Sequence, residues 1–105
     1  MSLDGFYKVQ FATPLGAGAG VVVLREGTIE GGDSALFYKG TYSLNGNQFT
    51  ATVSTGRHTH GLDSVFGKDN VTINLHGEVS AGHLRLQGSA PAAPGVPFTA
   101  ELQKL

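Results

Sequence analysis

Gly27-Thr28-Ile29-Glu30-Gly31-Gly32-Asp33-Ser34-Ala35-Leu36-Phe37-Tyr38-Lys39-Gly40-Thr41-Tyr42 is the stretch on which the reading of this chain turns. It leaves one turn at Gly27, breaks at Gly31-Gly32-Asp33, and continues as an extended segment. Tyr38, Gly40 and Tyr42 then share one face, because side chains alternate along a strand. The simplest role for Asp33 is to hold the break by bonding its own backbone.

Outward from this stretch the same grammar repeats. Upstream, Tyr7, Val9 and Phe11 alternate with Lys8 and Gln10, the period-2 pattern of a half-buried strand. Thr13-Pro14-Leu15-Gly16 ends it. Gly16-Ala17-Gly18-Ala19-Gly20 leads into Val21-Val22-Val23-Leu24. A dinucleotide loop needs a helix after its glycines, and β-branched valines favour a strand. These glycines are therefore read as places where the chain bends or another segment approaches closely. Arg25-Glu26-Gly27-Thr28 is a tight turn with glycine at positive φ.

Downstream, Asn45-Gly46-Asn47 is the strongest hairpin signal in the chain. Phe49, Ala51 and Val53 then alternate with hydroxyl residues. Thr55 to Asp69 reads as the one irregular connection, with a single helical turn expected over Gly61–Gly67. Val71, Ile73, Leu75 and Val79 share a face. Ser80-Ala81-Gly82 turns the chain, Leu84 and Leu86 point inward, and three prolines make Ala90 to Pro97 a loop. Phe98, Ala100 and Leu102 line the last strand. Met1-Ser2-Leu3 has the look of an expression scar and is set outside the fold.

Seven or eight short strands with tight turns predict an all-β domain spanning residues 1–105 with little or no helix. The expected form is a small closed or nearly closed antiparallel up-and-down barrel of about eight strands. At that size the interior is filled by side chains or holds one small ligand. Tyr7, Phe11, Tyr38, Tyr42, Phe49 and Phe98 are the expected interior lining.

Composition narrows the function. The net charge is −1, without a block of like charge, so the cationic footprint of a nucleic-acid binder is missing. With no cysteine there is neither a disulfide framework nor a thiolate metal site. No apolar run is long enough to span a bilayer and no signal peptide is recognisable, so a cytoplasmic location is expected. His58-Thr59-His60 has the i, i+2 spacing of barrel metal sites, but no glutamate follows, and the histidines are read as surface residues. Scattered carboxylates and the lack of a serine elbow predict no catalytic site, no metal and no cofactor.

One resemblance emerges from these motifs. Asp4-Gly5-Phe6-Tyr7, Gly18-Ala19-Gly20-Val21-Val22, Gly27-Thr28-Ile29-Glu30-Gly31-Gly32-Asp33 and Tyr38-Lys39-Gly40, at this spacing, resemble the GrlR-type negative regulators of type III secretion. The resemblance implies a lipocalin-like barrel that dimerises and silences a transcriptional activator by protein contact, without touching DNA. In that family an acidic run after the Tyr-x-Gly segment is tied to partner binding. The corresponding place here is Asn45-Gly46-Asn47-Gln48, a neutral tight turn. The alternative left open by the residues themselves is a carrier for a small apolar ligand held inside the barrel.

Overall fold

A computed structural model describes residues 3–61 and 69–105. It is an all-β closed barrel of eight antiparallel strands in simple up-and-down order. The strands are β1 (Gly5–Thr13), β2 (Gly16–Arg25), β3 (Thr28–Gly32), β4 (Leu36–Asn45), β5 (Gln48–Arg57), β6 (Thr72–Ser80), β7 (His83–Ser89) and β8 (Phe98–Lys104). Each strand pairs with its sequence neighbours, and β1 also pairs with β8, Tyr7 opposite Lys104 and Ala12 opposite Thr99. Closure removes both sheet edges, the devices by which open sheets aggregate.

The hairpin turns follow their residues. Glu26-Gly27 and Ala81-Gly82 both carry positive φ, at 46° and 83° and at 48° and 79°. That is the type I′ pattern, whose twist matches that of the flanking strands. At Gly46-Asn47 only the glycine is left-handed, with φ 65°, as in a type II′ turn. These three turns lie at one end of the barrel. The β1–β2 turn and the β3–β4, β5–β6 and β7–β8 connections lie at the other, the loop end.

Alternation places the apolar side chains inside. Tyr7, Val9, Val22, Leu24, Ile29, Tyr38, Phe49, Val53, Ile73, Leu84, Leu86 and Phe98 are all buried in one core. No polar or charged residue is buried among the described residues. Leu3, outside the fold on sequence grounds, in fact belongs to it: it is buried, and its carbonyl accepts the Tyr7 hydroxyl at 2.7 Å.

The glycines explain how so small a barrel coils. A Cβ on inward-facing Gly31 would lie 2.0 Å from the Val21 carbonyl oxygen, and one on Gly40 would lie 2.1 Å from that of Thr52. Neighbouring backbone occupies the space a side chain would need, as expected where strands bend sharply. Of the Gly16-Gly18-Gly20 run, Gly18 lies under the Phe11 ring and Gly20 against the Gly32 carbonyl, while Gly16 faces open space.

Two boundaries differ from the sequence reading. β3 runs through Gly31 and Gly32, which keep their ladder partners Val22 and Val21. β5 continues to Arg57, because Thr55, Gly56 and Arg57 still pair with Tyr38, Phe37 and Leu36. The helical turn expected over Gly61–Gly67 falls, beyond Gly61, outside the described residues.

Candidate functional site

Two features of the barrel stand out: its interior and one of its outer walls.

At the tight-turn end the interior is solid. Tyr7 and Phe49 are 1% exposed, and Leu24 and Leu84 are fully buried. The Tyr42 ring stacks on Phe49 at 5.2 Å between centroids. Burial pushes the Tyr7 hydroxyl above its usual pKa, with Tyr42 and Asp4 adding to the effect. From Phe49 toward the loop end the packing opens into a void of about 80 Å³, bordered by Phe11, Tyr38, Phe98, Val53, Ile73 and Leu86 among others. Phe11 sits edge-on to Tyr38 at 6.0 Å and stacks with Phe98 at 6.1 Å. Of the six aromatics expected inside, then, Phe11, Tyr38, Phe49 and Phe98 border the void. Tyr7 and Tyr42 belong to the solid end instead.

The polar groups beside the void are already engaged. The Tyr38 hydroxyl donates to Asp33 Oδ2. Asp33 Oδ1 accepts the Ala35 and Leu36 N–H groups at 2.8 and 2.7 Å, the backbone bonding expected of it. Burial raises the Asp33 carboxyl, but the Tyr38 hydroxyl and the two N–H groups outweigh it, and the net pKa lies below the carboxylate range. Burial and the adjacent carboxylate drive the Tyr38 hydroxyl strongly upward, so it stays protonated as a donor. The Thr55 hydroxyl donates to the Asp69 carbonyl at 2.8 Å and accepts the Val71 N–H at 3.2 Å.

The histidines lie elsewhere. His58 and His60 are exposed. His58 Nε2 donates to the Asp33 carbonyl at 3.0 Å, and its Nδ1 lies 2.6 Å from the Thr59 hydroxyl. The ring therefore ties the β5–β6 connection to the β3–β4 corner, where the His58 N–H also donates to the Ala35 carbonyl at 2.9 Å. His76 points outward on β6, and His83 is half-buried at the start of β7. Among the described residues no three His, Asp or Glu side chains gather in a way that would hold a metal ion.

The second feature is the outer wall formed by β8, β1 and β2. Outward positions there pair in rows. Phe6 lies opposite Val23, with Leu105 on its other side donating its N–H to the Phe6 carbonyl. Lys8 lies between Val21 and Gln103, and Gln10 between Ala19 and Glu101. Phe6, Val21 and Leu105 are 61%, 48% and 71% exposed. Toward the loop end the same wall becomes a shallow trough of about 570 Å³, floored by Ala12, Ala17, Gly18 and Ala19 and rimmed by Gln10, Thr99 and Glu101. Sequence reading missed this wall. Its signal was the phase: Phe6, Val21 and Val23 fall on the polar side of the alternation.

The Asn45-Gly46-Asn47-Gln48 turn is exposed at the solid end of the barrel, away from that trough. The Asn47 carbonyl accepts the Val79 N–H at 2.9 Å, and Gln48 Nε2 lies 3.5 Å from Glu78. The turn is thus docked on β6 and carries no charge of its own.

No protein-family model matches this chain, and no curated protein matches it. No helix long and apolar enough to cross a membrane occurs among the described residues.

Proposed function

We propose that this protein is a non-enzymatic regulatory module that acts by protein contact, in the manner of the GrlR-type negative regulators it resembles. The partner would be a transcriptional activator held away from its work, with no direct contact to nucleic acid. The observation that carries the reading is the β8–β1–β2 wall, where Leu105, Phe6, Val23 and Val21 form an apolar patch continuous with the alanine-floored trough. Patches of this kind, rimmed by polar groups, mark contact surfaces. Gln103 and Glu101 border the face on β8, and Lys8 and Gln10 run along its middle strand between the apolar positions, a mixture usual in contact surfaces that are not permanently buried.

This reading moves the contact from the family's acidic run to the wall. The neutral Asn45-Gly46-Asn47-Gln48 turn lacks the charge that would attract a cationic partner, and charge of that kind governs association rate. A homodimer through the same wall is the competing use of it.

The test is capture of partners from the host's own cytosol by tagged protein, read by mass spectrometry. A DNA-binding activator retained by the native chain and lost with Phe6→Ser or Val21→Ser supports the reading. Capture that survives both substitutions but fails when residues 45–48 are replaced returns the contact to the turn. Sedimentation that shows a dimer dissolved by Phe6→Ser, with no activator captured, assigns the wall to self-association.

A further inference from the structure

The hairpin tip between β4 and β5 carries chemistry that neither the outer wall nor the interior uses. We infer that Asn45 is a self-modification site: in the folded chain its side-chain amide is lost to attack by the Gly46 nitrogen and is replaced, through a cyclic imide, by a carboxylate.

The step balances with water alone. The Gly46 main-chain nitrogen attacks Asn45 Cγ, and the C–N bond of the side-chain amide breaks. Ammonia leaves, carrying the proton from the Gly46 nitrogen, and a five-membered succinimide remains. Water then opens the ring at one of its two carbonyls. One product is aspartate. The other is isoaspartate, whose main chain runs through Cβ and Cγ and is one carbon longer.

Sequence and structure together single out Asn45. The other three asparagines, Asn47, Asn70 and Asn74, precede Gln48, Val71 and Leu75, whose side chains crowd the attacking nitrogen. Only Asn45 precedes a glycine, which has no Cβ to obstruct it. Asn74 is also engaged in mid-strand, where its Oδ1 accepts the Thr52 hydroxyl at 3.3 Å. Asn45 and Gly46 are exposed, and a Cβ placed on Gly46 would meet nothing within 4 Å. Water and base therefore reach both reacting groups.

The ladder ends at the Asn45–Gln48 pair, so Gly46 lies outside it. The turn is anchored one residue further on, where the Asn47 carbonyl accepts the Val79 N–H at 2.9 Å. Extended backbone at Asn45 slows the attack, because the ring closes only when its ψ leaves the strand range. Opening the last pair of a hairpin is a local event, however, and far cheaper than unfolding the barrel. Either product charges a turn that is otherwise neutral. Isoaspartate does more, since its added carbon shifts the Asn45–Gln48 register and draws the Asn47 carbonyl off Val79.

The test ages the native chain at mildly alkaline pH and body temperature, followed by isoelectric focusing and peptide mass mapping. A more acidic species should accumulate, with conversion at Asn45 at least about tenfold faster than at Asn47, Asn70 or Asn74, because glycine leaves the attacking nitrogen open. The Val79 amide of the isoaspartate fraction should exchange with heavy water faster than in fresh protein. Asn45→Gln keeps an exposed amide but needs a six-membered ring, and it should stay a single species. Asn45→Asp should focus from the outset where the aged native chain does. A native chain that gains no acidic species overturns the inference, as does an acidic species that persists in Asn45→Gln. Conversion seen only in urea assigns the chemistry to the unfolded chain and overturns it equally.

Discussion

Asp33→Ala offers the sharpest test of how the β3–β4 corner is held. The substitution deletes the acceptor of three hydrogen bonds, from the Tyr38 hydroxyl and from the Ala35 and Leu36 N–H groups. A hydrogen bond to an ionised group contributes about 1.5–3 kcal/mol net. Ala35 and Leu36 are themselves buried, so their N–H groups and the Tyr38 hydroxyl all lose an acceptor that water replaces poorly, and the expected loss is about 3 kcal/mol. With 1 kcal/mol equivalent to about 4–8 °C near this chain length, Tm should fall by about 12–24 °C. Urea unfolding followed by circular dichroism should show a lower midpoint at an unchanged slope. Tyr38→Phe should cost about half as much, since Asp33 keeps its backbone bonds and regains water. The double variant should then be less destabilised than the sum of the two single ones, because both remove one contact. Additive costs, or a loss under about 0.5 kcal/mol for Asp33→Ala, would refute the account, since that is the range of an ordinary surface change.

The remaining expectations are shorter. Because the Asp33 pKa is lowered by folding, its contribution is complete above the unfolded carboxylate value of about 3.9 and is lost as pH falls through the lower folded value. Asp33→Asn should therefore flatten the acid limb of stability below about pH 4, measured by urea midpoints across pH. Ala81→Gly should raise stability by about 1 kcal/mol, because alanine there holds φ 48° at a steric cost glycine avoids. Gly40→Val should prevent folding, since its Cβ would meet the Thr52 oxygen at 2.1 Å with no side chain free to yield; dispersed amide NMR signals from that variant would contradict this. Phe49→Ala should cost about 3–5 kcal/mol through the lost core contact and the Tyr42 stack, read by thermal unfolding.

Much of the barrel is legible locally. The alternation at Tyr7–Phe11, Phe49–Val53 and Phe98–Leu102 assigns inside and outside, and Glu26-Gly27, Asn45-Gly46-Asn47 and Ala81-Gly82 mark the hairpins. Each of those signals needs only neighbouring residues. The pairing of β1 with β8 has no local signature: it follows only from closing the meander, and its register, Tyr7 opposite Lys104, is not written in neighbouring residues. The Tyr38–Asp33 bond is hidden for a related reason: it spans a corner whose shape depends on Gly20 and Gly32 approaching each other. The void was equally out of reach, because alternation says which side chains point inward but not whether they fill the space. The wall patch was within reach. Val21 to Leu24 was read as one apolar run, when strand geometry divides it into two faces.

The β1–β8 seam also has a consequence in time. Every other pairing joins consecutive strands through short or moderate connections, the kind that form fast on the way to the native state. Tyr7 must find Lys104 across nearly the whole chain before the last ladder exists. Until then the meander has two unpaired edges, β1 and β8, each able to recruit another chain. Closure is thus the step at which this chain either completes itself or aggregates. Substitutions along Val9, Phe11, Ala100 and Leu102 should therefore lower soluble yield by more than their loss of equilibrium stability alone accounts for.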